Sequence, residues 1–358
     1  MWPDRRFIEL AGIELPIIQA PMAGANGSAM AIAVSEAGGL GSLPCAMLGP
    51  DEVRQEMAFA QGTASPLNMN FFCHTPLEPD SGQDAKWKQA LAGYYYEFGA
   101  EAPAFSSKAG RTPFDGSMCG IVEEYKPEVV SFHFGLPRQD LLDRVREAGC
   151  RIISSATTVE EARWLEARGC DAIIAQGSEA GGHRGMFLTD DVATQAGTFA
   201  LVPRIVDAVN VPVIAAGGIA DGRGIAAAFA LGASGVQIGT AYLFTPESLI
   251  SPLHRTALSS SGTTETALTN LFSGRPARGL VNRLMRELGP MSDLAPGFPM
   301  AGNALASLKA RAEAAGKSDF SAMWAGQAAS LCRETGSGDL TRQLARDAIE
   351  RMESMAIT

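Results

Sequence analysis

The chain is poor in the side chains that build disulfide and zinc sites. Its six cysteines stand singly along 358 residues with no C-x-x-C pair, and only four histidines are present. No close cluster of cysteine and histidine, of the kind that binds zinc, occurs. Sparse, unpaired cysteines argue against a disulfide framework and indicate free thiols in a reducing compartment. We therefore expect no metal site.

Positive charge and long apolar runs are also lacking. Aspartate and glutamate total 39 against 29 lysines and arginines, a net charge of −10, and no long basic run reverses that sign. An acidic chain opposes binding to nucleic acid or to anionic membranes. No apolar run is long enough for a signal sequence or a membrane span. We expect a soluble cytoplasmic protein, and the sequence leaves a homodimer open.

What the sequence does contain is eight short apolar runs that alternate with helical patterns. Continuous apolar runs suit strands buried on both faces, as in a parallel sheet. Eight consecutive strand–helix units predict a closed (β/α)8 TIM barrel, with an open doubly wound sheet as the alternative. In chain order the runs are LPIIQAPM, GGLGSLP, SPLNMNFF, EVVSFHFG, GCRIISSA, CDAIIAQG, VPVIAAGG and SGVQIGTA.

Glycines mark several helix-to-strand junctions of this pattern. EAGG from Glu36, EAGC from Glu147 and EARG from Glu166 each end a helical pattern just before the next apolar run. Glycine at such a position predicts a left-handed helix stop.

Residues 245–319 interrupt the strand–helix rhythm. The segment follows the eighth run and is rich in Ser, Thr, Gly, Pro and Met. We predict that it forms a lid or substrate subdomain, and that residues 1–244 and 320–358 form the barrel. After it, SAMWAGQAASLC and DLTRQLARDAIERM predict closing helices. The long connections after the third and sixth runs begin at the C-terminal ends of strands, which is where barrels place their active-site loops.

Glycines after the last two runs predict a phosphate site. Gly217 and Gly218 follow the seventh run, and Gly239 and Thr240 follow the eighth. Glycine lets the backbone approach a ligand closely, and N–H groups at a helix start attract an anion. Barrels usually bind phosphate at these two loops. The alternative is that these glycines only make tight turns.

Amide side chains gather near the strand ends. Asn68 and Asn70 share one face of the third run, and Gln19, Gln176 and Gln237 lie near the ends of three others. A buried amide needs a hydrogen-bond partner, such as the edge of a heterocycle. The alternative is that the amides bond one another in a polar layer of the core. The first run ends in a proline and small residues, which leave room for a flat ring.

Two histidines are candidates for catalysis at the same end of the barrel, its C-terminal mouth. His133 ends the fourth run in SFHFGLP, and His183 lies in GSEAGGHRG after the sixth. Histidine is the side chain that most readily exchanges protons near neutral pH. The alternatives are a buried histidine bonded to a carbonyl for His133 and an exposed loop residue for His183. We assign no role to His74, in a loop, or to His254, in a helical surface pattern.

Four charged residues near these motifs are expected to have structural roles. Glu179 and Arg184 could brace the loop around His183 by pairing with each other. Arg275 and Arg278, in FSGRPARG, are expected to cap helices or to pair with carboxylates rather than to close over an anion.

Six motifs together resemble the nitronate monooxygenase family, formerly called 2-nitropropane dioxygenase. They are PIIQAPMAG, PLNMNFF, FHFGLP, GSEAGGHRG, VPVIAAGGIADGRG and VQIGTAYLFTPES, in this order. EAGGH followed by a Gly-Gly loop is shared with a wider group, which includes FMN-dependent enoyl-ACP reductases and some NADH:quinone reductases. FHFGLP together with GGHRG resembles the bacterial class of nitronate monooxygenases.

The resemblance implies a TIM barrel that binds FMN and carries a smaller lid. The isoalloxazine ring is then expected along Pro21, Met22, Ala23 and Gly24, with Asn70 and Gln176 at its polar edge. The remaining implied contacts, to the phosphate or through a backbone group, are Gly181, Gly217, Gly218, Gln237, Gly239 and Thr240.

The resemblance also assigns roles around the substrate. His183 matches the family's active-site histidine, and His133 matches the second histidine of the substrate pocket, beside Ala23 and Gly24. The family often places lid tyrosines near the substrate. Residues 245–319 contain no tyrosine, so a less polar pocket is expected here.

The implied reaction is the oxidation of an anionic alkyl nitronate, such as propionate-3-nitronate, with O2 to a carbonyl compound and nitrite. His183 is expected to stabilise the anion or to take the α-proton of a neutral nitroalkane. The first alternative is NAD(P)H-dependent reduction of an enoyl thioester or quinone on FMN. The second is a flavin-free phosphate-binding lyase or isomerase, and a non-enzymatic binding module is the least favoured.

Overall fold

The chain folds around a closed parallel barrel. The computed structural model describes residues 1–60, 65–106, 112–260 and 265–356. The strands of these ranges are β1 (Ile17–Gln19), β2 (Gly41–Pro44), β3 (Leu67–Phe72), β4 (Val129–His133), β5 (Arg151–Ala156), β6 (Ala172–Gln176), β7 (Gly182–His183), β8 (Val213–Ala216), β9 (Gly235–Ile238), β10 (Thr266–Thr269) and β11 (Ala277–Leu280).

Eight of these strands form one sheet, and each matches a predicted apolar run. The order is β1-β9-β8-β6-β5-β4-β3-β2, with parallel pairing throughout. A bridge between Ile18 and Leu40, just before β2, closes the circle. The predicted (β/α)8 TIM barrel is therefore confirmed, and the open doubly wound sheet is excluded.

The helices of the same ranges surround the barrel or build the lid. They are α1 (Arg6–Ala11), α2 (Ser28–Glu36), α3 (Pro50–Ala60), α4 (Ser81–Ala90), α5 (Ala92–Phe98), α6 (Gly116–Tyr125), α7 (Gln139–Glu147), α8 (Val159–Ala167), α9 (Thr198–Val206), α10 (Gly222–Ala230), α11 (Pro252–Ser259), α12 (Arg283–Leu288), α13 (Ala301–Ala314) and α14 (Ser337–Ala356). The predicted stops are confirmed, since Gly38, Gly149 and Gly169 follow α2, α7 and α8 with φ of +91°, +90° and +79°.

Two apolar layers hold the barrel together. Strand residues that face outward, such as Met69 and Ile152, pack against the surrounding helices. Residues that face inward, such as Ile153 and Ile214, pack with Phe7 of α1. Phe7 also lies against Gly235 at the start of β9. Helix α1 therefore closes the N-terminal end of the barrel, which leaves the C-terminal end for a site.

The last helix completes the outer ring. Helix α14 packs against α10 and α2, so the closing-helix prediction is confirmed for DLTRQLARDAIERM. It is wrong for SAMWAGQAASLC, which has only one short 3-10 helix, Ala329–Leu331. The irregular chain there is held by the loops after β6 and β9, because the Gly326 N–H donates to Thr240 Oγ1 at 2.9 Å and the Gln327 N–H donates to the Glu179 backbone oxygen at 3.0 Å.

A second apolar cluster lies outside the barrel. Helices α4 and α5, inserted after β3, pack there against α12 and α13; the members include Trp87, Tyr94, Tyr95, Leu284, Leu305 and Phe320. We call residues 81–98 together with the described part of 245–319 the lid; the boundaries at 245 and 319 stay a prediction. Two of its tyrosines are buried and stabilise the packing, since the Tyr94 hydroxyl donates to the Glu287 carboxylate and the Tyr95 hydroxyl to the Ala304 backbone oxygen, whereas Tyr96 is exposed.

A small antiparallel sheet joins the lid to the barrel. Strand β11 pairs with β10 on one side and with β7 on the other, with Ala277 opposite His183 and Arg278 opposite Gly182. Because β7 belongs to the loop after β6, that loop is also a strand of the lid sheet.

Three features of the fold concern thiols, membranes and metals. All six cysteines are free thiols, as predicted. Along the described ranges, no helix has both the length and the apolar character needed to cross a bilayer. Within the same ranges, no three His, Cys, Asp or Glu side chains gather as a metal site would require.

Candidate active site

The strand ends surround one mouth of the barrel. Parallel strands end on the same side, and their order places β1 beside β9, β9 beside β8 and β8 beside β6. The loop after β1 therefore adjoins Gly239, whose Cβ position lies 3.7 Å from Met22 Sδ. Across the mouth, β3 and β4 bring Asn70 and His133. The predicted site residues thus share the C-terminal face, where barrels carry their sites.

His133 is held by the barrel. It ends β4, and its Nδ1 lies 3.1 Å from Ser155 Oγ on β5 while its Nε2 lies 3.2 Å from the His183 backbone oxygen. A carbonyl oxygen only accepts, so Nε2 carries the proton and Ser155 donates to Nδ1. Burial lowers the pKa of His133 to about 4. His133 is therefore a neutral imidazole with both ring nitrogens engaged.

His183 is held largely by the lid. Its Nε2 lies 2.8 Å from the Oγ of Ser273, a buried lid serine. Its backbone is fixed by the pairing of β7 with β11 and by Gln176, whose Nε2 donates to the His183 oxygen at 3.0 Å. The residue remains partly exposed at the mouth. His183 thus combines a fixed backbone with an accessible side chain.

The glycine-rich loop between β6 and β7 is braced by two charged side chains. Fully buried Arg184 donates to the backbone oxygens of Gln176 at 2.6 Å and Gly177 at 2.7 Å. Glu179 accepts from the N–H and the hydroxyl of Thr198 at the start of α9. Glu179 and Arg184 therefore brace the loop through separate partners rather than through a direct ion pair.

Two backbone features bring the histidines together. A Cβ on Gly185 would lie 2.9 Å from His133 Cε1 and 3.0 Å from Ser155 Cβ, so glycine is needed where the chain leaves β7. Phe134 has a φ of +69°, which a bulky residue rarely adopts. This conformation turns the chain after β4 and places the Phe134 ring 4.6 Å from the His133 ring.

Four aromatic rings wall the imidazole of His183. Their centroids lie 5.5 Å away for Phe298 and Trp324, 6.0 Å for Phe134 and 6.2 Å for Phe72. Phe72 and Phe134 stand in the motifs NFF and FHF, where the sequence analysis overlooked them. Phe298 and Trp324 stand in no recognisable motif. Such a wall reduces the contact of the imidazole with water, which strengthens electrostatic interactions there.

The two histidines without an assigned role are both buried. The surface interpretation of His254 was wrong, because it lies buried in α11, and burial lowers its pKa to about 4. His74 is buried in the loop after β3, with its ring 4.9 Å from that of Phe298. His74 therefore lies behind the aromatic wall, whereas His254 belongs to a different part of the core.

Arg275 and Arg278 connect the lid to the loops at the mouth. Arg278 Nε donates to the Ser178 oxygen at 2.8 Å. Arg275 places its Cζ 4.2 Å from the centre of the Phe134 ring, and its Nη2 donates to the Met186 oxygen at 2.8 Å. These contacts give both arginines structural roles, through carbonyl oxygens and a ring rather than chiefly through carboxylates.

The loops after β8 and β9 form a cradle at the mouth, in which Gly218 is exposed while Gly217 packs against the loop after β6, with its Cβ position 2.9 Å from the Ala180 nitrogen. Gly217 and Gly218 have φ of +111° and +72°. The 3-10 helix Thr240–Phe244 begins without a side-chain cap. The start of α10 differs, because Asp221 already accepts from the Arg223 and Gly224 N–H groups. A phosphate-bearing cofactor would therefore be held by the two loops and the 3-10 helix, and not by the start of α10.

Two further predicted contacts have different surroundings. Gln237, on β9, has a buried side-chain oxygen that accepts no hydrogen bond from the described residues. Such an amide is costly to bury, which makes Gln237 a candidate ligand contact. Gly181 is needed for packing, because a Cβ there would lie 2.6 Å from the Gly326 nitrogen.

The loop after β1 presents small residues to the mouth. Pro21, Met22 and Ala23 are partly exposed, and Gly24 is exposed with a φ of +77°. Asn26 Oδ1 closes the loop by accepting from the Met22 N–H at 2.9 Å. The backbone of this loop is therefore available to a flat ligand.

The amides of the barrel divide into two groups. Asn68 Nδ2 donates to Ser42 Oγ at 2.9 Å, and Gln19 Oε1 accepts from the Ser42 N–H at 3.0 Å. The two amides therefore meet at Ser42 in a polar layer of the core and do not bond each other, as the alternative had expected. Asn70 is nearer the mouth, where its Nδ2 donates to Ser131 Oγ at 2.9 Å. The arrangement as a whole can hold a small anion beside a flat cofactor, with an imidazole at hand.

Comparison with known proteins agrees with this geometry. The family model described as nitronate monooxygenase matches residues 4–347. The chain is 43% identical to nitronate monooxygenase of Paraburkholderia phytofirmans, over 98% of this chain and 97% of that protein. It is also 43% identical to nitronate monooxygenase of Pseudomonas aeruginosa, over 96% and 98%.

Solved structures show the same likeness. Nitroalkane oxidase from Streptomyces ansochromogenes superposes with a TM-score of 0.87 at 38% identity, over 98% of this chain and 99% of that one. FabK from Thermotoga maritima superposes with a TM-score of 0.72 at 28% identity, over 99% of both chains. With the family model matching nearly the whole sequence, this chain belongs to the nitronate monooxygenase family of oxidoreductases.

Proposed function

We propose that the protein is an FMN-dependent nitronate monooxygenase, which oxidises alkyl nitronates of the propionate-3-nitronate type with O2 to a carbonyl compound and nitrite. The observation that carries the proposal is the position of His183. Its partly exposed imidazole stands among aromatic rings at the same mouth as the glycine cradle after β8 and β9. A planar anion and a flat cofactor both find partners of suitable chemistry there.

The residues present fit FMN. The unpartnered oxygen of Gln237 and the exposed, left-handed Gly218 are features that a bound ligand would explain. The residues proposed to hold the cofactor are Pro21, Met22, Ala23, Asn70, Gln176, Gly181, Gly217, Gly218, Gln237, Gly239 and Thr240. When bound, FMN supplies the redox chemistry, taking electrons from the nitronate and passing them to O2.

The protein groups would orient the substrate and manage its charge and proton. A nitronate is already a carbanion equivalent, so His183 needs only to stabilise the anion; with a neutral nitroalkane it must also accept the α-proton. His133 is neutral and has both ring nitrogens engaged. We propose that it lines the substrate pocket, with Ala23 and Gly24, and that it fixes the backbone of His183.

Oxygen uptake tests this function. The purified protein is expected to show flavin absorption and to consume O2 with propionate-3-nitronate, releasing nitrite, at a rate that NADH does not change. Absence of flavin absorption would revive the flavin-free phosphate-binding barrel. Flavin without nitronate-dependent O2 uptake would refute the monooxygenase assignment.

A second candidate is NAD(P)H-dependent reduction of an enoyl thioester or a quinone. Full-length superposition on FabK favours keeping it, as does the EAGGH loop shared with flavin reductases. Anaerobic addition of NADH separates the two functions. Rapid flavin bleaching would support the reductase, and an unchanged flavin spectrum supports the monooxygenase.

A further inference from the structure

A lid serine contacts the side chain of His183. Ser273 Oγ lies 2.8 Å from His183 Nε2, although the two residues are 90 positions apart. Ser273 is 3% exposed, so water does not compete for its hydroxyl. Four residues further along, Ala277 pairs with His183 through the backbone of β11 and β7. The same short stretch of the lid therefore fixes both the main chain and the ring of His183.

The other partners of the Ser273 hydroxyl decide the direction of this hydrogen bond. Oγ donates to the Arg275 backbone oxygen at 3.3 Å and accepts from the Arg275 N–H at 3.4 Å. A serine hydroxyl has one proton and two acceptor lone pairs. With its proton directed to a carbonyl, which only accepts, Oγ must accept from His183. Nε2 of His183 is then the donor.

We infer that Ser273 is a positioning residue, which gives His183, in its neutral form, the tautomer with its proton on Nε2. In that tautomer the basic lone pair lies on Nδ1, so a proton taken from a substrate arrives at Nδ1. The tautomer is a property of the protein alone. Its kinetic consequence, a base of defined orientation, rests on the proposed function.

His133 provides an internal comparison, because its hydrogen bond with a serine runs in the opposite direction, from the serine hydroxyl to the ring. Its Nε2 donates to the His183 carbonyl, so Ser155 donates to Nδ1. Loss of the Ser155 hydroxyl leaves the tautomer of His133 fixed by the carbonyl. Loss of the Ser273 hydroxyl removes the group that selects the tautomer of His183.

Long-range ¹H–¹⁵N correlation spectra of the imidazoles test the assignment on the flavoprotein as isolated. The four histidines of the chain give few signals, and H183Q identifies those of His183. We expect the wild type to show a protonated Nε2 and an unprotonated Nδ1 at His183. S273A should shift this pattern toward a mixture of tautomers, and S273T, which keeps the hydroxyl, should restore it.

Two control variants separate positioning from general damage. S155A should change the His133 signals and leave those of His183 unchanged. S321A removes another buried hydroxyl, two residues beyond the lid, which donates to Glu313 Oε1 at 2.7 Å, and should leave the His183 signals unchanged. A wild-type His183 protonated on Nδ1, or an S273A spectrum identical to the wild type, would overturn the inference.

Kinetics give an independent readout. S273A is expected to lower kcat with a neutral nitroalkane on the order of tenfold, a part of what general base catalysis supplies, and to lower kcat with the preformed nitronate much less. Equal losses on both substrates would contradict a role in orienting a base. A wild type inactive on the nitronate would refute the proposed function, while the spectra would still decide the tautomer.

Discussion

The barrel side and the lid side of the mouth each hold one histidine, and they hold it differently. His133 ends a barrel strand and is bonded to Ser155 on the next one, while its other nitrogen contacts the His183 backbone. His183 stands on a strand of the lid sheet, and its ring is bonded to a lid serine. The ring of His133 therefore depends on the barrel and on the backbone of β7, whereas the ring of His183 is held by a side chain of the lid.

The comparison shows that two histidines at the same barrel mouth can have different roles, one structural and one available to a substrate. His133 is partly exposed like His183, but it is neutral and both of its ring nitrogens are engaged, so it serves as a structural support for the His183 backbone. His183 is partly exposed and faces rings from both units. Changes on the lid side should alter reactivity, and changes on the barrel side should alter stability. Four predictions test this difference.

Removal of the lid-held imidazole should have the largest effect. H183A is expected to lower kcat/KM with a neutral nitroalkane by about 10²–10⁴-fold, the range of general base catalysis, and with the nitronate by less. Oxygen uptake on both substrates measures this, with H254Q as a matched loss of a buried histidine outside the site. Equal losses on the two substrates would leave His183 only a binding role.

Removal of the guanidinium that braces the His183 loop should have the largest effect on stability. R184M removes the guanidinium hydrogen bonds to the buried backbone oxygens of Gln176 and Gly177. The unfolding free energy should fall by about 3 kcal/mol, measured by urea denaturation. R223M breaks an exposed pair with Asp221 and should cost about 1 kcal/mol or less. Similar losses in both variants would mean that Arg184 is not the brace.

The barrel-held histidine should be visible in the pH dependence of stability. Burial lowers the pKa of His133 to about 4. The folded state therefore binds a proton on this imidazole only at a lower pH than the unfolded state does. Its contribution is complete above pH 6.5 and is lost as the pH falls toward 4. This loss amounts to about 2 kcal/mol between pH 7 and pH 5.

A variant isolates that contribution from other acid-sensitive groups. H133Q should flatten the fall in unfolding free energy between pH 7 and pH 5 relative to the wild type, measured by urea denaturation across the pH range. H254Q should flatten it similarly, because burial also lowers the pKa of His254 to about 4. An unchanged slope in H133Q would show that His133 is not held neutral.

The smallest effect on stability is expected at Gly185, where the chain leaving β7 contacts His133 of the barrel. G185A places a methyl group 2.9 Å from His133 Cε1, and the resulting overpacking should lower the unfolding free energy by about 1–2 kcal/mol. Gly120, inside α6, has open space at its Cβ position, so G120A should raise stability by about 0.5–1 kcal/mol. A G185A protein as stable as the wild type would mean that the histidine contact adapts freely. Thermal unfolding of both variants measures these two changes in stability.

Much of the barrel could be predicted because its signals are local. Each strand is a short apolar run, and stops such as Gly149 and Gly169 follow from the backbone angles that only glycine adopts easily. The same reasoning gave a wrong helix prediction for SAMWAGQAASLC. Its apolar residues bury against the lid sheet and the loops as irregular chain, with Trp324 bridging to Gly279, so their burial does not reflect helical periodicity.

The candidate site could be predicted only in part. His133 and His183 stand directly after strands, where the barrel rule places functional residues. Ser273 and Phe298 come from the lid, about 90 or more residues away from His183 in sequence. No local pattern indicates that they will meet it, because the contact is created by the pairing of β7 with β11.

The sequence by itself determined the barrel, the family and the two histidines at the mouth, because each depends on local periodicity, on strand ends or on short motifs. Only the tertiary structure decided which partners those histidines have. Hydrogen bonds such as His183 to Ser273 join segments that are distant in the chain, and their direction depends on how every donor and acceptor around them is satisfied. The glycines of GSEAGGHRG likewise read as a flexible loop, until buried Arg184 and the lid sheet fix them in place.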